Sequence, residues 1–158
     1  MKKTTQWQTK KFSELSLNQL YDALKLRVDV FVVEQTCYYP DLDSEENQLD
    51  RHNETLHLLG YQDGNLVAYL RVLAQEQSYD DYISIGRVAT AKHARGSGLG
   101  HELMSEGLKL CQQHFANQDI KISAQEHLLK YYQRHGFKQV SEMYLEDNIP
   151  HIAMVKKH

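Results

Sequence analysis

Residues 85–100 read IGRVATAKHARGSGLG and set the architecture expected for this chain. A short run rich in β-branched residues predicts a strand, and a basic, glycine-rich turn follows it. An amphipathic stretch begins at once and predicts a helix. This order presents backbone N–H groups and the positive end of a helix to a phosphate. Gly96, Gly98 and Gly100 permit close backbone approach, and Arg95 adds a cation beside them.

Two common nucleotide-binding patterns do not fit this turn. A dinucleotide fingerprint, G-x-G-x-x-G, that began at Gly96 would need a third glycine where the chain has His101. A P-loop needs a lysine after its last glycine, and no lysine follows Gly100. The remaining spacing, Arg95-x-x-Gly98-x-Gly100, resembles the pyrophosphate signature of the GNAT N-acetyltransferase superfamily. The alternative interpretation is an ordinary helix N-terminus with permissive glycines.

A second segment strengthens the resemblance. Residues 120–125 predict a strand, and residues 126–135 predict a short helix that ends at Gly136, since glycine is common just after a helix. The stretch YYQRHGF over residues 131–137 resembles the second GNAT signature, in which an aromatic residue and a tyrosine precede Gly-Phe. The two signatures stand in the expected order, separated by one helix and one strand.

Both ends of the chain narrow the resemblance to one branch of the superfamily. LRVDVFVVEQ over residues 26–35 is similar to the Arg-x-x-Val-Phe-x-x-Glu-Gln signature of the ElaA branch. EDNIPHIAM over residues 146–154 is similar to the Glu-Asp-Gly-Ile-Pro-His ending of that branch. Asn148 stands where the branch usually has glycine, and asparagine tolerates the left-handed region better than most residues. The resemblance covers residues 7–154.

Composition is that of an ordinary globular domain. The 158 residues suffice for one domain with its own core, and we predict a single GNAT domain over residues 1–158. The net charge of −3 argues against a nucleic-acid binder that works through bulk charge. The chain shows no long apolar stretch, no signal-peptide pattern and no disulfide framework, so we expect no membrane partner and a cytoplasmic location. The nine histidines lack metal-ligand spacing, so we predict no metal site.

Hydrophobic periodicity predicts the other elements. A capping box at Ser16 and Gln19 starts a helix that should end near residue 33. Asp63-Gly64 is a hairpin signal between two strands. We expect strands at residues 4–12, 56–61, 66–73, 82–90, 120–123, 137–140 and 149–156, and a second long helix at 99–115. This order matches the GNAT α/β fold, a mixed and mostly antiparallel sheet flanked by helices on both faces.

The acidic loop, residues 36–53, lacks any period and has room for a short helix. Its carboxylates would attract a positively charged acceptor, or they simply lie in solvent, and we favour the solvated loop. Arg27 would pair with Glu34 or with a residue of this loop as an interior ion pair at the helix end.

The resemblance implies direct transfer of an acetyl group from acetyl-CoA to a primary amine. The site then needs a cofactor grip, an oxyanion donor, an acid for the leaving thiolate and a base for the amine. By resemblance, the pantetheine arm pairs with the edge of the strand before the turn, and the Val88 amide binds the oxyanion. Gln125 stands where many members have an asparagine that binds pantetheine. The implied cofactor-binding residues are Val88, Ala89, Thr90, Arg95, Gly96, Ser97, Gly98, Leu99, Gly100 and Gln125.

The sequence offers one candidate for the acid and several for the base. Tyr132 matches the tyrosine most often given the role of acid, and a phenol with a pKa near 10 keeps its proton until a thiolate develops. The alternative is a tyrosine that packs under the helix. Many relatives carry a glutamate base on the strand before the turn, but the polar residue there is Arg87, which cannot act as a base. Glu34, His57 and His151 are candidates for the base, and a water chain also remains open. Glu34 could instead orient a cationic amine.

A non-catalytic sensor of acyl-CoA is the alternative from another functional class. A sensor needs no acid for a leaving group, so Tyr132 favours catalysis. The expected acceptor is a small polyamine-like or amino-acid-like molecule, or the amine of a peptide. We expect no nucleic-acid partner, and a homodimer stays open.

Overall fold

Eight strands and three α-helices follow one another in residues 2–158, the part of the chain that the computed structural model describes. The elements are β1 (Gln6–Lys10), α1 (Leu17–Arg27), β2 (Leu56–Gln62), β3 (Asn65–Leu73), β4 (Ser84–Thr90), α2 (Leu99–His114), β5 (Ile120–Gln125), α3 (Leu129–Arg134), β6 (Lys138–Gln139), β7 (Tyr144–Glu146) and β8 (Ile149–Lys156). The strands and helices predicted from the sequence are all present. Only β7 is additional, because three residues are too few to show a period.

The first helix begins at the predicted capping box and changes its winding near its end. The Gln19 amide donates to Ser16 Oγ, and the Ser16 amide donates to Gln19 Oε1, both at 3.0 Å. After α1 the chain continues as a π-helical segment, Val28–Glu34, in which the Gln35 amide donates to the carbonyl five residues earlier. Such segments are rare and often mark functional sites.

The strands form two sheets that diverge from a common point. Antiparallel pairing gives the orders β1-β2-β3-β4 and β5-β8-β6, and β7 also pairs with β8. The sheets join where the Ile83 amide donates to the Asp119 carbonyl at 3.1 Å and the Lys121 amide donates to the Ile83 carbonyl at 2.9 Å. These two hydrogen bonds form a parallel bridge at the start of β4 and β5. Beyond it, β4 and β5 do not pair in the described part of the chain. A cleft therefore opens between them.

Helices cover both faces of the first sheet. Adjacent residues of a strand point to opposite faces of the sheet, so the side chains of Tyr69 and Leu70 in β3 lie on opposite faces. The Arg27 guanidinium of α1 lies 5.8 Å from the centre of the Tyr69 ring. On the other side, a β-carbon at Gly107 of α2 would lie 2.7 Å from a methyl group of Leu70. The predicted fold class, a mostly antiparallel sheet with helices on both faces, is confirmed.

Two hairpins have the tight turns that their residues favour. Asp63 and Gly64 join β2 to β3 with φ values of 50° and 80°, and Asp147 and Asn148 join β7 to β8 with φ values of 51° and 63°. Two-residue turns with both φ values positive match the twist of the flanking strands. Asn148 thus adopts the left-handed conformation expected where the ElaA branch usually has glycine.

The acidic loop folds inward, which corrects our expectation that it lies in solvent. Arg71 of β3 donates from Nη1 to Asp43 and to Asp50 at 2.8 Å each, and Arg27 donates from Nη1 to Asp50 at 2.9 Å. The arginine side chains are only 1% and 4% exposed. Arg27 therefore pairs with the loop and not with Glu34, and buried charge holds the loop against the first sheet.

We expect the stability contribution of Asp50 to disappear in acid. Burial opposes its ionisation, but the charges of Arg27 and Arg71 hold the pKa of Asp50 at about 2, below its ordinary value of 3.8. Because the pKa is lower in the folded chain, the stabilisation is present above about pH 4 and is lost as the pH falls toward about 2. Urea unfolding should show Asp50→Asn less stable by about 2 kcal/mol at neutral pH.

The gap between wild type and Asp50→Asn should then shrink as the pH falls below about 4. Glu45→Gln, at an exposed position of the same loop, is the matched control and should change stability by less than about 0.5 kcal/mol. A gap for Asp50→Asn that is independent of pH would contradict the ionic role.

The close contact between Gly107 and Leu70 leads to a second prediction about stability. A side chain there must displace Leu70 in the core, so Gly107→Val should lower the free energy of unfolding by about 1–3 kcal/mol. Ser105→Val, at an exposed position on α2, controls for the effect of valine on the helix. Equal stability of the two variants in urea unfolding would show that α2 does not pack on β3 as described.

Candidate active site

A cavity of about 350 Å³ occupies the cleft between β4 and β5. Its walls come from both strands, the π-helical segment and the loop after it, α3 and the β7–β8 hairpin. The lining residues are Phe31, Gln35, Cys37, Tyr39, Ile85, Gly86, Arg87, Val88, Ile122, Ser123, Gln125, Leu128, Tyr132, Glu146, Asp147, Ile149 and His151. The cavity thus brings together four residues singled out from the sequence: Val88, Gln125, Tyr132 and His151.

A bulge in β4 shapes one wall of the cavity. The register between β3 and β4 shifts so that Arg87 and Val88 lie opposite Leu70 alone. Arg87 has a φ of 52°, a conformation that costs energy for a residue with a β-carbon. A bulge of this kind bends the strand and re-aims its backbone groups, so the bulge determines where the Val88 amide lies.

Asp41 of the acidic loop holds this bulge. Arg87 donates from Nε to Asp41 Oδ1 at 3.0 Å and from Nη2 to the Asp41 carbonyl at 2.9 Å, and its guanidinium lies 5.3 Å from the centre of the Tyr39 ring. Arg27 of α1 donates to the other carboxylate oxygen of Asp41 at 2.9 Å. One buried carboxylate therefore connects α1 to the bulge and fixes the position of Val88 relative to the helix.

The glycine turn, residues 95–100, leads from β4 into α2. Gly96 and Gly98 have φ values of 101° and 89°, and a β-carbon at either position would meet nothing within 4 Å. The turn needs glycine for its backbone conformation and not for lack of space. Gly98 is the N-cap of α2, and the first amides of a helix have no partner within it. The turn can therefore accept an anion.

Arg95 is joined to the π-helical segment by an ion pair. Its guanidinium donates to both carboxylate oxygens of Glu34 at 2.6 and 2.9 Å, and to the Thr90 carbonyl at 2.7 Å. This hydrogen bond with Arg95 lowers the pKa of Glu34, which weakens it as a base. Glu34 lies outside the cavity, on an open groove of about 940 Å³ beside α1. That groove lacks Val88 and Tyr132, so we assign the chemistry to the smaller cavity.

Tyr132 presents a protonated hydroxyl to the cavity. Its ring is buried and packs edge-on against Tyr131 and Phe137, with ring centres 4.9 and 5.7 Å away. Burial raises the pKa of Tyr132 to about 12, and within residues 2–158 no hydrogen bond occupies the hydroxyl. The proton is therefore available to a group that enters the cavity.

Two hydrogen bonds between distant parts of the chain connect the walls of the site. Gln125 donates from Nε2 to Gln35 Oε1 at 3.0 Å, which links β5 to the end of the π-helical segment. Tyr131 donates from its hydroxyl to the Gly100 carbonyl at 2.6 Å, which links α3 to the first turn of α2. These contacts were not predicted, since their partners lie far apart in the sequence.

The two histidine candidates occupy different environments. His57 is buried between the Tyr69 hydroxyl at 2.7 Å and the Asp50 carbonyl at 2.9 Å, and burial lowers its pKa. It lies beside the buried ion pairs of Asp50 and does not line the cavity. His151 lines the cavity, with Nδ1 2.7 Å from the Ile149 carbonyl and Nε2 3.4 Å from Glu146 Oε2. The structure thus leaves His151 as the histidine that can reach an acceptor.

Residues 2–158 contain neither a cluster of metal-ligating side chains nor a membrane-spanning helix. Within this range, no three histidine, cysteine or acidic side chains converge in a way that could hold a metal ion. None of the helices in the same range is long and apolar enough to cross a bilayer.

Comparison with known proteins identifies the family. The family described as an acetyltransferase (GNAT) domain matches residues 20–158. Protein ElaA of Escherichia coli (strain K12) is 41% identical over 152 residues, which is 96% of each chain. The crystal structure of an acyl-CoA N-acyltransferase from Pseudomonas aeruginosa has a TM-score of 0.89 and 43% identity, covering 97% of this chain and 99% of that one.

The crystal structure of Escherichia coli ElaA also has a TM-score of 0.89, with 40% identity over 98% of this chain and 100% of that one. The resemblance carried by the two signatures is therefore confirmed. The chain belongs to the GNAT acyltransferase family, among the homologues of ElaA.

Proposed function

We propose that this protein transfers an acetyl group from acetyl-CoA to a primary amine in one direct step. The buried Tyr132 hydroxyl carries the proposal, because it faces the same cavity as Val88 with its proton unused by residues 2–158. A leaving thiolate needs such a donor. The Pseudomonas aeruginosa relative, described as an acyl-CoA N-acyltransferase, supports N-acyl transfer as the reaction class.

The donor would lie along β4 and end at the glycine turn. Phosphates of the donor would meet the free amides of residues 96–100 and the positive end of α2. Its extended arm would pair with the β4 edge at Val88, Ala89 and Thr90, with Gln125 on the facing strand. Arg95 is already oriented beside this path by Glu34 and Thr90, so we assign Glu34 to the positioning of Arg95.

The cavity contains a residue for each step of the transfer. The amine nitrogen attacks the thioester carbonyl carbon, and the Val88 amide stabilises the negative oxygen that forms. His151 Nε2 accepts the proton that the amine loses. As the carbon–sulfur bond breaks, the Tyr132 hydroxyl donates its proton to the thiolate, and solvent returns the two residues to their starting states.

A non-catalytic acyl-CoA sensor would need the same grip but no proton donor. The unoccupied hydroxyl of Tyr132 therefore favours the enzyme over the sensor. Lysine, polyamines and peptide amines all remain acceptors of the proposed class. The cytoplasmic location and the homodimer stay predictions.

We expect CoA to stabilise the chain against heat. At about 100 times its dissociation constant, CoA should add about 2.7 kcal/mol, which raises the melting temperature by about 5–10 °C. NAD and ATP at equal concentration should give much smaller shifts, because neither matches the full length of β4 and the turn. Equal shifts of the melting temperature with all three ligands would refute the proposed binding of CoA along β4 and the glycine turn.

Gly98→Val tests the glycine turn within the same assay. The side chain would obstruct the backbone amides, so CoA should no longer raise the melting temperature. Gly64→Val is the matched control, because Gly64 also has a positive φ and open space around it but lies in the β2–β3 hairpin. A Gly98→Val variant that still responds to CoA like the Gly64→Val variant would refute the turn as the anion site.

Tyr132→Phe tests the proposed acid. The variant keeps the buried ring and deletes the proton donor, so kcat should fall by about 10²–10⁴-fold while the KM for acetyl-CoA changes little. Tyr61→Phe removes a half-buried hydroxyl away from the cavity and should keep the wild-type kcat. Near-wild-type turnover of Tyr132→Phe, with chemistry rate-limiting, would assign the proton to another group.

The pH profile provides a further check on Tyr132. Because burial raises its pKa to about 12, the wild-type kcat should not decline through phenol ionisation up to about pH 10. An alkaline decline near pH 10 that Tyr132→Phe abolishes would show that the phenol is not shielded as described.

A further inference from the structure

Glu146 and His151 lie side by side in one wall of the cavity. Glu146 Oε2 lies 3.4 Å from His151 Nε2. Both residues line the cavity that also contains Val88 and Tyr132. Glu146 comes from β7, and His151 comes from the neighbouring strand β8.

The hydrogen bonding of His151 determines which nitrogen is free. Nδ1 lies 2.7 Å from the Ile149 carbonyl, which can only accept, so Nδ1 carries a proton and donates it. In the neutral ring, Nε2 then has a lone pair and no proton. A lone pair and a carboxylate oxygen thus face each other, and two N–H groups of one ligand can satisfy both.

Neighbouring side chains hold both residues in place. Ser123 donates to Glu146 Oε1 at 3.3 Å and is also hydrogen-bonded to the Tyr144 hydroxyl. The Tyr144 ring stacks on the His151 ring, with centres 6.2 Å apart. The gap between Glu146 and His151 is therefore set by β5, β7 and β8 together.

Two carboxylates, Glu146 and Asp147, line the cavity without a lysine or arginine partner in residues 2–158. Arg87 is the cation on the opposite wall, and Asp41 neutralises it. Across residues 2–158, no lysine or arginine forms a salt bridge with Glu146, whose side chain is half exposed. A cationic ligand would therefore find an unpaired carboxylate in the cavity.

We propose that Glu146 and His151 form the acceptor subsite and bind a primary amine as its ammonium ion. The inference rests on the proposed transfer and adds the residues that bind the acceptor and the charged form in which it binds. The ammonium donates one N–H to Glu146 Oε2 and another to His151 Nε2. The second proton then passes to Nε2, and the imidazolium that forms beside the Glu146 carboxylate passes this proton to solvent. This leaves a neutral amine with a lone pair and a neutral His151 that can accept the proton lost during transfer. Glu146 selects the cation and stabilises the imidazolium.

Steady-state kinetics with putrescine and lysine as the amine probes test the subsite. Loss of a charge-assisted hydrogen bond should raise the KM for the better amine about 10- to 100-fold in Glu146→Gln. The KM for acetyl-CoA should stay near the wild-type value. Glu142→Gln, at an exposed position of the same segment, is the matched control and should behave like the wild type. An unchanged amine KM in Glu146→Gln would overturn the proposal.

A binding measurement separates the subsite from the transfer reaction. The imidazole nitrogen signals of His151, assigned by NMR with the His151→Gln variant, should respond to putrescine but not to its neutral diol analogue, butanediol. The response should vanish in Glu146→Gln, in free and in CoA-saturated protein. Equal responses to both compounds, or a His151 Nε2 already protonated in weakly alkaline solution, would overturn the subsite.

The two proposals fail in different ways. Absence of CoA binding, together with a putrescine response that depends on Glu146, would refute the proposed transfer and keep the cation subsite. Normal CoA binding without any response of His151 to putrescine would refute the subsite and keep the acyl-CoA grip.

Discussion

A network of buried ion pairs holds together the elements that form one side of the cleft. The network consists of Arg27, Arg71, Arg87, Asp41, Asp43 and Asp50. Three positive and three negative side chains leave no net charge, which limits the cost of removing them from water. Replacing such a network by apolar groups often costs little stability, whereas deleting one member leaves an uncompensated charge. Its consequence here is geometric, because the ion pairs join α1, the acidic loop, β3 and the β4 bulge to one another.

The network also carries a visible cost. Arg71 Nε is buried without a hydrogen-bond partner in the described part of the chain, and Arg87 has a left-handed backbone. Both features are unfavourable on their own and persist because surrounding contacts over-determine them. Strain of this kind at the bulge is consistent with a backbone amide at Val88 that has a precise task. The cost and the proposed oxyanion site thus occur at the same place.

Electrostatics divide the site into two halves that suit different ligands. From Val88, β4 leads to the glycine turn and the positive end of α2, where an anionic donor would be favoured. Glu146 and Asp147 line the cavity itself, where a cationic acceptor would be favoured. Between these regions, Tyr132 keeps its proton because burial disfavours the phenolate. In the proposed reaction, a single cleft would therefore bind an anionic donor and a cationic acceptor with their reactive ends adjacent.

Local sequence patterns predicted the fold well. The site was predicted less completely, because it depends on contacts between residues that lie far apart in the sequence. The capping box at Ser16, the hairpin at Asp63-Gly64 and the glycine turn act within a few residues, so the sequence alone reveals them. The partners of Asp41 are 14 and 46 residues away, so the sequence predicted a solvated loop although Asp41, Asp43 and Asp50 are turned inward. The bulge at Arg87 could not be predicted from the sequence, because neither the residue types nor the hydrophobic period there indicates a shift in strand register.

His57 shows the same limit, since only the folded chain reveals that its ring is hydrogen-bonded to Tyr69 and Asp50 beside the network. Glu146 was visible within the ElaA-like ending, but its position opposite His151 depends on the β7–β8 hairpin.

Binding of the acyl donor in the cleft between β4 and β5 can be decided by a crystal structure of the chain with acetyl-CoA. We predict that the diphosphate lies within hydrogen-bond distance of the amides of residues 96–100. The thioester carbonyl should point at the Val88 amide, with its sulfur beside the Tyr132 hydroxyl. A donor bound instead in the groove beside α1, with the cleft empty, would contradict the assignment of the site.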